Sequence, residues 1–278
     1  MTGAMDWQGT VGRNWAAEAA RTDRSFSALT PHLLELIDHA AGDSAARIVD
    51  IGCGAGQVTA AVAAICPRAK VTGVDISPEL VRTAQSRCAA MPNVRVELAD
   101  AAEWRHTGGP VDLYVSRHGV MFFDDPPAAF RNLAAGAAQG GRIAFSCFRN
   151  PAENLWASEI ARLLPPSPPS TAPYPPGPFA FADPDHVCHC MAGWKDHAFT
   201  PVNFAYIAGA GEDPVADAMD FFARIGPAAA AIRELPATAR SAFVKALEAL
   251  VRDHHVGGLV SFPAAAWLIT ATVDHSQR

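Results

Sequence analysis

"RIVDIGCGAGQVT", residues 47–59, runs from a short apolar stretch into an acid and then places three glycines within five positions. Ile48, Val49 and Ile51 read as a buried parallel strand, and Gly52, Gly54 and Gly56 form a turn free of Cβ atoms that a ligand can approach closely. Beyond the glycines, Val58, Ala61, Val62 and Ile65 recur at helical spacing. The unit is a strand, a glycine turn and a helix whose N-terminus faces the ligand. A phosphate loop would end in Gly-Lys-Ser/Thr, where this chain has Gly56-Gln57-Val58. The dinucleotide fingerprint would require its third glycine at Gln57, and it does not usually carry an acid such as Asp50 before the turn.

Four further segments extend the pattern. "VTGVDIS", residues 71–77, reads as a second strand ending at Asp75, about 20 residues past the glycines, where an acid can take both ribose hydroxyls. "NVRVELADAAEW" gives a third strand, Val94 to Leu98, followed by Asp100 and Ala101; Asp100 equally suits a helix N-cap. "VDLYVSRHGVMFF" supplies a fourth strand, Val111 to Ser116, with Arg117 and His118 at its carboxyl end, the edge where ligands sit in open α/β sheets. Asp124 or Asp125 then caps a helix with Pro126 and Pro127 in its first turn, and Gly140 and Gly141 are expected to end it before a fifth strand.

The glycine turn resembles motif I of the class I S-adenosylmethionine-dependent methyltransferases, in which the strand-end acid and the turn hold the amino acid part of the cofactor. "SRHGVMFFDDPPAAFRNL", residues 116–133, resembles a bacterial small-molecule subgroup of that family, and the resemblance is specific over residues 47–148. It implies an α/β fold: a Rossmann-like, seven-stranded, mostly parallel sheet with helices on both faces, an antiparallel last strand and an added helical cap. It also implies S-adenosylmethionine as cofactor, S-adenosylhomocysteine as product, and a cofactor site of Asp50, Gly52, Gly54, Gly56, Asp75, Ile76, Asp100, Ala101 and Ser116. Most members of the subgroup carry Phe where this chain has His118. An unperturbed imidazole pKa of about 6.5 makes His118 the first candidate for a general base, with packing or hydrogen bonding as the alternative.

The chain's 278 residues suit a single domain with one large core, and its net charge of -6 argues against nucleic acid as the partner. The start "MTGAMDWQGTVGRNW" lacks a basic and apolar leader, and no window of about 18 apolar residues runs uninterrupted, so a cytoplasmic protein without membrane contact is expected. Its six cysteines are expected to stay reduced. In "HVCHCM", His186, His189 and Cys190 would share a helical face, but a fourth metal ligand is unidentified and no metal is expected. His254 and His255 suit the negative end of a helix.

Residues 1–46 read as an N-terminal helical cap bringing Trp7 and Trp15 towards the cofactor, residues 47–148 as the cofactor-binding core, and the proline-rich "PPSPPSTAPYPPGPF", residues 165–179, as an irregular loop. "HAFTPVNFAYIA" and "FPAAAWLITATV" read as strands six and seven. Between them, across residues 213–256, Val215, Met219 and Phe222, then Phe243, Leu247 and Leu250, describe two or three amphipathic helices. They are expected to form a lid over an apolar acceptor pocket, or else a homodimer interface. The expected function is methyl transfer to a small, partly apolar acceptor, most often at oxygen. Alternatives are an enzyme of the same fold that uses the cofactor for cyclisation or is devoted to modifying it, and a non-catalytic nucleotide-sensing module.

Overall fold

The computed structural model describes residues 4–42, 45–165, 173–274 and 276. Helices α1 (Ala4–Gln8), α2 (Thr10–Ala17), α3 (Ala19–Ser25) and α4 (Thr30–Ala41) precede β1 (Arg47–Ile51). Then follow α5 (Gln57–Ile65), β2 (Lys70–Asp75), α6 (Pro78–Cys88), β3 (Val94–Leu98), β4 (Val111–Arg117), α7 (Pro126–Gly136) and β5 (Ala137–Phe148). The remainder comprises α8 (Leu155–Arg162), α9 (Pro184–Cys190), β6 (Trp194–Gly209), α10 (Pro214–Arg224), α11 (Pro227–Glu234), α12 (Ala237–Asp253), β7 (His255–Val256) and β8 (Leu259–Val273).

One sheet runs in the order β3-β2-β1-β4-β5-β8-β6, with the short β7 paired to β8. β3, β2, β1, β4 and β5 are parallel, and β8 lies antiparallel between β5 and β6. β1 and β4 read as near-continuous apolar runs because helices cover both faces of the sheet there, and Ile48, Val49, Leu113 and Val115 are buried. Strand order reverses between β1 and β4, which opens a crevice at their carboxyl ends.

Three local expectations are corrected. Helix α7 ends at Gly136, and Gly140 and Gly141 lie inside β5. The pairing of Val111 with Ala137 and of Leu113 with Arg142 leaves extra residues on β5, a bulge in which Gly140 takes φ +71° at no Cβ penalty. Ile65 is 40% exposed, because α5 buries Val58, Thr59, Val62 and Ala63 instead. His255 belongs to β7 rather than to the end of α12; His254 caps that helix and bonds Glu159 at 2.7 Å.

Residues 166–172 of the proline-rich stretch lie outside the described residues. The segment between β6 and β8 forms α10, α11 and α12, and α10 starts at an Asp213 side-chain cap to the Ala216 N–H at 3.0 Å. Ion pairs tie α10 to the N-terminal helices: Asp217 accepts from Arg21 and Arg24, each at 2.7 Å, and buried Glu18 accepts from Arg21 at 2.8 Å and Arg224 at 2.7 Å. Among the described residues no helix is long and apolar enough to cross a membrane.

Phe222 is 2% exposed and meets Phe262 of β8 edge-on at 5.7 Å. Phe222→Ala is therefore expected to lower unfolding free energy by about 3–5 kcal/mol, read from the denaturant midpoint. An unchanged midpoint would show that α10 is not part of the core.

Candidate functional site

A cavity of about 540 Å³ opens at the carboxyl ends of the central strands. Asp50, Gly52, Gly54, Asp75, Ile76, Asp100, Ala101 and His118 all border it. Gly52 and Gly54 have φ of +62° and +54°, in the left-handed region that glycine enters freely. A Cβ on Gly52 would also stand 2.9 Å from Gly119 Cα, so the glycine turn and the loop after β4 can meet only backbone to backbone.

Gly56 and Ser116, two more of the expected site residues, make structural contacts. A Cβ on Gly56 would lie 2.8 Å from Ala84 Cβ, so this glycine lets the start of α5 pack on α6. Ser116 Oγ donates to the Ile51 carbonyl at 2.7 Å and accepts the Gly119 N–H at 3.1 Å, pinning the two loops together.

The carboxylates that face the cavity are also structural. Asp75 accepts the Gly54 N–H at 2.9 Å and the Ser77 N–H at 2.8 Å through different oxygens, and so fastens the glycine turn to the end of β2. Burial raises its pKa, and these backbone N–H groups oppose the rise. Asp50 accepts the Thr59 hydroxyl at 2.6 Å, and burial pushes its carboxyl up to about 7 against the opposing pull of Thr59 and Arg117. Asp100 accepts the Ala102 N–H at 2.9 Å, so it caps a turn; no helix starts there.

His118 follows β4 with φ +64°, a backbone conformation that few non-glycine residues adopt. Its Nδ1 is 3.0 Å from Ser146 Oγ, and its buried Nε2 has no partner among the described residues. The ring packs 4.2 Å from Phe148 and 4.9 Å from Phe26. The expectation of an imidazole titrating near neutrality is corrected: burial, aided by the Arg117 charge, lowers its pKa to about 3. His118 is a neutral ring at physiological pH.

Several cavity residues escape the sequence patterns. Arg117 donates to Thr30 Oγ1 at 3.0 Å and Gln57 Oε1 at 2.6 Å and pairs with Asp23 at 3.4 Å, its guanidinium lying 5.0 Å over the Phe26 ring. Asp23 also receives Arg87 at 2.6 Å. A basic residue closing an apolar strand was the one available signal; its partners come from distant helices. Phe148, Trp156 and Tyr206 likewise line the cavity; Trp7 and Trp15 of the N-terminal helices, expected on the approach to the cofactor, line it too. From the segment between β6 and β8 only Ile225 and Gly226 reach it; Phe222 and Phe243 do not. His186 is stacked 3.6 Å from Tyr174, with Nε2 3.4 Å from Cys190 Sγ, remote in role from this cavity.

Residues 48–141 match a family described as a methyltransferase domain. The chain is 31% identical over 140 residues to a trans-aconitate 2-methyltransferase of Variovorax paradoxus, covering 50% of this chain and 49% of that one. It is 31% identical over 163 residues to a ubiquinone biosynthesis O-methyltransferase of Xanthomonas axonopodis pv. citri, covering 55% and 65%. The chain thus spans about half the length of the first of these relatives. Among solved structures it resembles the YcgJ protein of Bacillus subtilis (TM-score 0.51, 19% identity, 88% and 99% covered) and the cyclase SpnF (TM-score 0.53, 15% identity, 87% and 80% covered). At those identities the likeness concerns the fold.

The unfolded Asp50 carboxyl titrates near 3.8 and the buried one at about 7, so between these values the native state holds a proton that the unfolded chain has released. This contribution to stability is complete below the lower value and is lost as pH rises through the upper one. Asp50→Asn keeps an acceptor for Thr59 and removes the titration. From about pH 5 to about pH 7.5 the native protein is expected to lose stability relative to Asp50→Asn, read as a change in the difference between their urea midpoints. A constant difference would mean that Asp50 is ionised throughout.

Proposed function

We propose that the chain, whose residues 48–141 match the methyltransferase-domain family, transfers the methyl group of S-adenosylmethionine to an oxygen of a small, partly apolar molecule. The observation that supports this reading best is continuity: the glycine turn, Asp75 and Asp100 border the same cavity as His118, Phe148 and Trp156. One end is polar and backbone-lined and the other is built of rings, so a donor and an acceptor can meet between them. The names of the two relatives, both methyltransferases and one an O-methyltransferase, favour oxygen.

Bound S-adenosylmethionine would supply an activated methyl group on a sulfonium. The residues of this chain would bind, orient and exclude water. Asp75 keeps lone pairs beyond those used by Gly54 and Ser77, and these can take ribose hydroxyls. Asp50 would face the cationic amino acid end, Asp100 and Ala101 the base, and the Gly52–Gly54 backbone would allow close approach. Most of the rate enhancement then comes from alignment in a closed, apolar cavity. His118, neutral and with Nε2 free, is assigned as the hydrogen-bonding contact to the acceptor oxygen. The helices α10 to α12 act as a lid through Ile225 and Gly226, held down by the Asp217 and Glu18 ion pairs. A net charge of -6 is unsuited to a polyanionic acceptor such as nucleic acid.

S-adenosylhomocysteine is expected to raise the melting temperature of the protein, with NAD giving no shift, because a ligand of the native state alone stabilises it. Asp75→Ala is expected to weaken that binding by about 1.5–3 kcal/mol in calorimetry. Unchanged affinity would remove Asp75 from the cofactor site. S-adenosylhomocysteine is expected to accumulate only when an acceptor is present; its formation without one would point to other chemistry.

The rate of methyl transfer is expected to show no inflection due to His118 between about pH 5 and about pH 8, and His118→Phe is expected to keep cofactor affinity. An inflection present in the native protein and absent from His118→Phe would establish a titrating base instead.

A further inference from the structure

Arg117 ends β4 and borders the cavity, its side chain 11% exposed. It bonds Gln57 at the start of α5, and its charge and that of Asp50 act on each other. The guanidinium therefore lies beside the glycine turn, within electrostatic reach of the acid near the end of β1. Helix α5 begins at Gly56 with no side-chain cap, and Gln57 and Val58 of its first turn line the cavity, so the positive end of its dipole is turned to the same corner.

The charges in this corner do not cancel. Asp23 of α3 accepts from Arg87 of α6 at 2.6 Å and from Arg117 at 3.4 Å, so one carboxylate serves two guanidinium groups and lies closer to Arg87. Burial works against the Arg117 charge, Asp23 and Asp50 support it, and Arg87 opposes it. On the methyl-transfer reading Asp50 faces the cofactor's ammonium. With Asp50 so occupied, two guanidinium cations stand against the single Asp23 carboxylate, and a second anion is wanted at the buried one. Donors for it are present. A guanidinium has five N–H bonds; Nη1 donates to Thr30 and Gln57 and Nη2 to Asp23, which leaves Nε–H and one Nη2 hydrogen without an acceptor among the described residues.

We propose that Arg117 holds the carboxylate of the cofactor's amino acid end, and that Arg87, by sharing Asp23, is a positioning residue that leaves Arg117 a charge for it. This rests on the methyl-transfer reading and deepens it. An ammonium at Asp50 and a carboxylate at Arg117 hold the amino acid end at two points, which fixes the direction of the sulfonium beyond what the glycine turn alone can fix. A carboxylate on the acceptor has the same chemistry; the Gln57 contact and the α5 N-terminus favour the cofactor as its source.

The test is calorimetric titration of the full chain with S-adenosylhomocysteine and with its decarboxylated analogue, the 3-aminopropyl thioether of 5′-deoxyadenosine, which keeps the nucleoside, the sulfur and the ammonium and lacks only the carboxylate. S-adenosylhomocysteine is expected to bind at least about tenfold more tightly. In Arg117→Met that preference is expected to fall to about threefold or less. In Arg87→Met, which leaves Asp23 to Arg117 alone, it is expected to shrink by about twofold or more. Arg117→Met also loses contacts to Thr30 and Asp23, so its folding is checked by its urea transition, and Arg87→Met carries the test if that variant does not fold. Equal binding of the two ligands to the native protein, or a preference unchanged in folded Arg117→Met or in Arg87→Met, would overturn the proposal while leaving methyl transfer standing. Citrate added to the S-adenosylhomocysteine complex is expected to give no binding heat; heat that disappears in Arg117→Met would assign Arg117 to an acceptor carboxylate instead. Failure of S-adenosylhomocysteine itself to bind would remove both readings.

Discussion

The Asp75 carboxylate is the tie on which the rest of the site depends. Its two oxygens accept the Gly54 and Ser77 N–H groups, so one buried acid at the end of β2 fixes both the glycine turn after β1 and the start of α6. Without it the turn would have a backbone donor unsatisfied in a buried place, at a cost of about 1–3 kcal/mol. The Gly52 and Gly119 backbones then meet with no room for a side chain, and Ser116 bolts the second loop to the first. The crevice between β1 and β4 is held open by these three contacts acting together.

From that crevice the cavity extends across the sheet and changes character. Towards β2 and β3 it is made of acids and backbone; towards β5 and β6 it is made of rings. Arg117 sits at the change. It links the glycine loop through Gln57, the N-terminal helices through Thr30 and Asp23, and the ring wall through Phe26. Asp23 and Arg117 are 94 positions apart in the chain, so this arrangement closes only when the N-terminal helices are docked. The same helices carry Arg21 and Arg24 to Asp217 on α10, which couples the two halves of the roof.

The parts of this arrangement that were legible in the sequence are the local ones. The strand, glycine turn and helix of residues 47–65, the acid ending β2 and the proline-started α7 each follow from residues within a few positions of one another. The fold class followed from the family that these segments resemble. What spacing does not disclose is which way a group faces. Gly56 is placed against Ala84 and Ser116 is bonded to the Ile51 carbonyl, and Phe222 and Phe243 have the periodicity of a lid yet bury their rings in the core. Nor does a residue type disclose its environment. His118 looks like a base near neutrality until Phe26, Phe148 and Arg117 surround it. The ring wall was invisible for the same reason: Phe148, Trp156 and Tyr206 lie on three separate elements and carry no motif.

The central claim is that a polar cofactor end and an aromatic acceptor end share one cavity, meeting beside His118. A crystal structure of the chain with S-adenosylhomocysteine tests it most directly. The account predicts ribose hydroxyls on Asp75, the base beside Asp100 and Ala101, and the sulfur directed along the cavity towards His118 and Phe148. A ligand seated elsewhere, or one whose sulfur faces away from the ring wall, would contradict it.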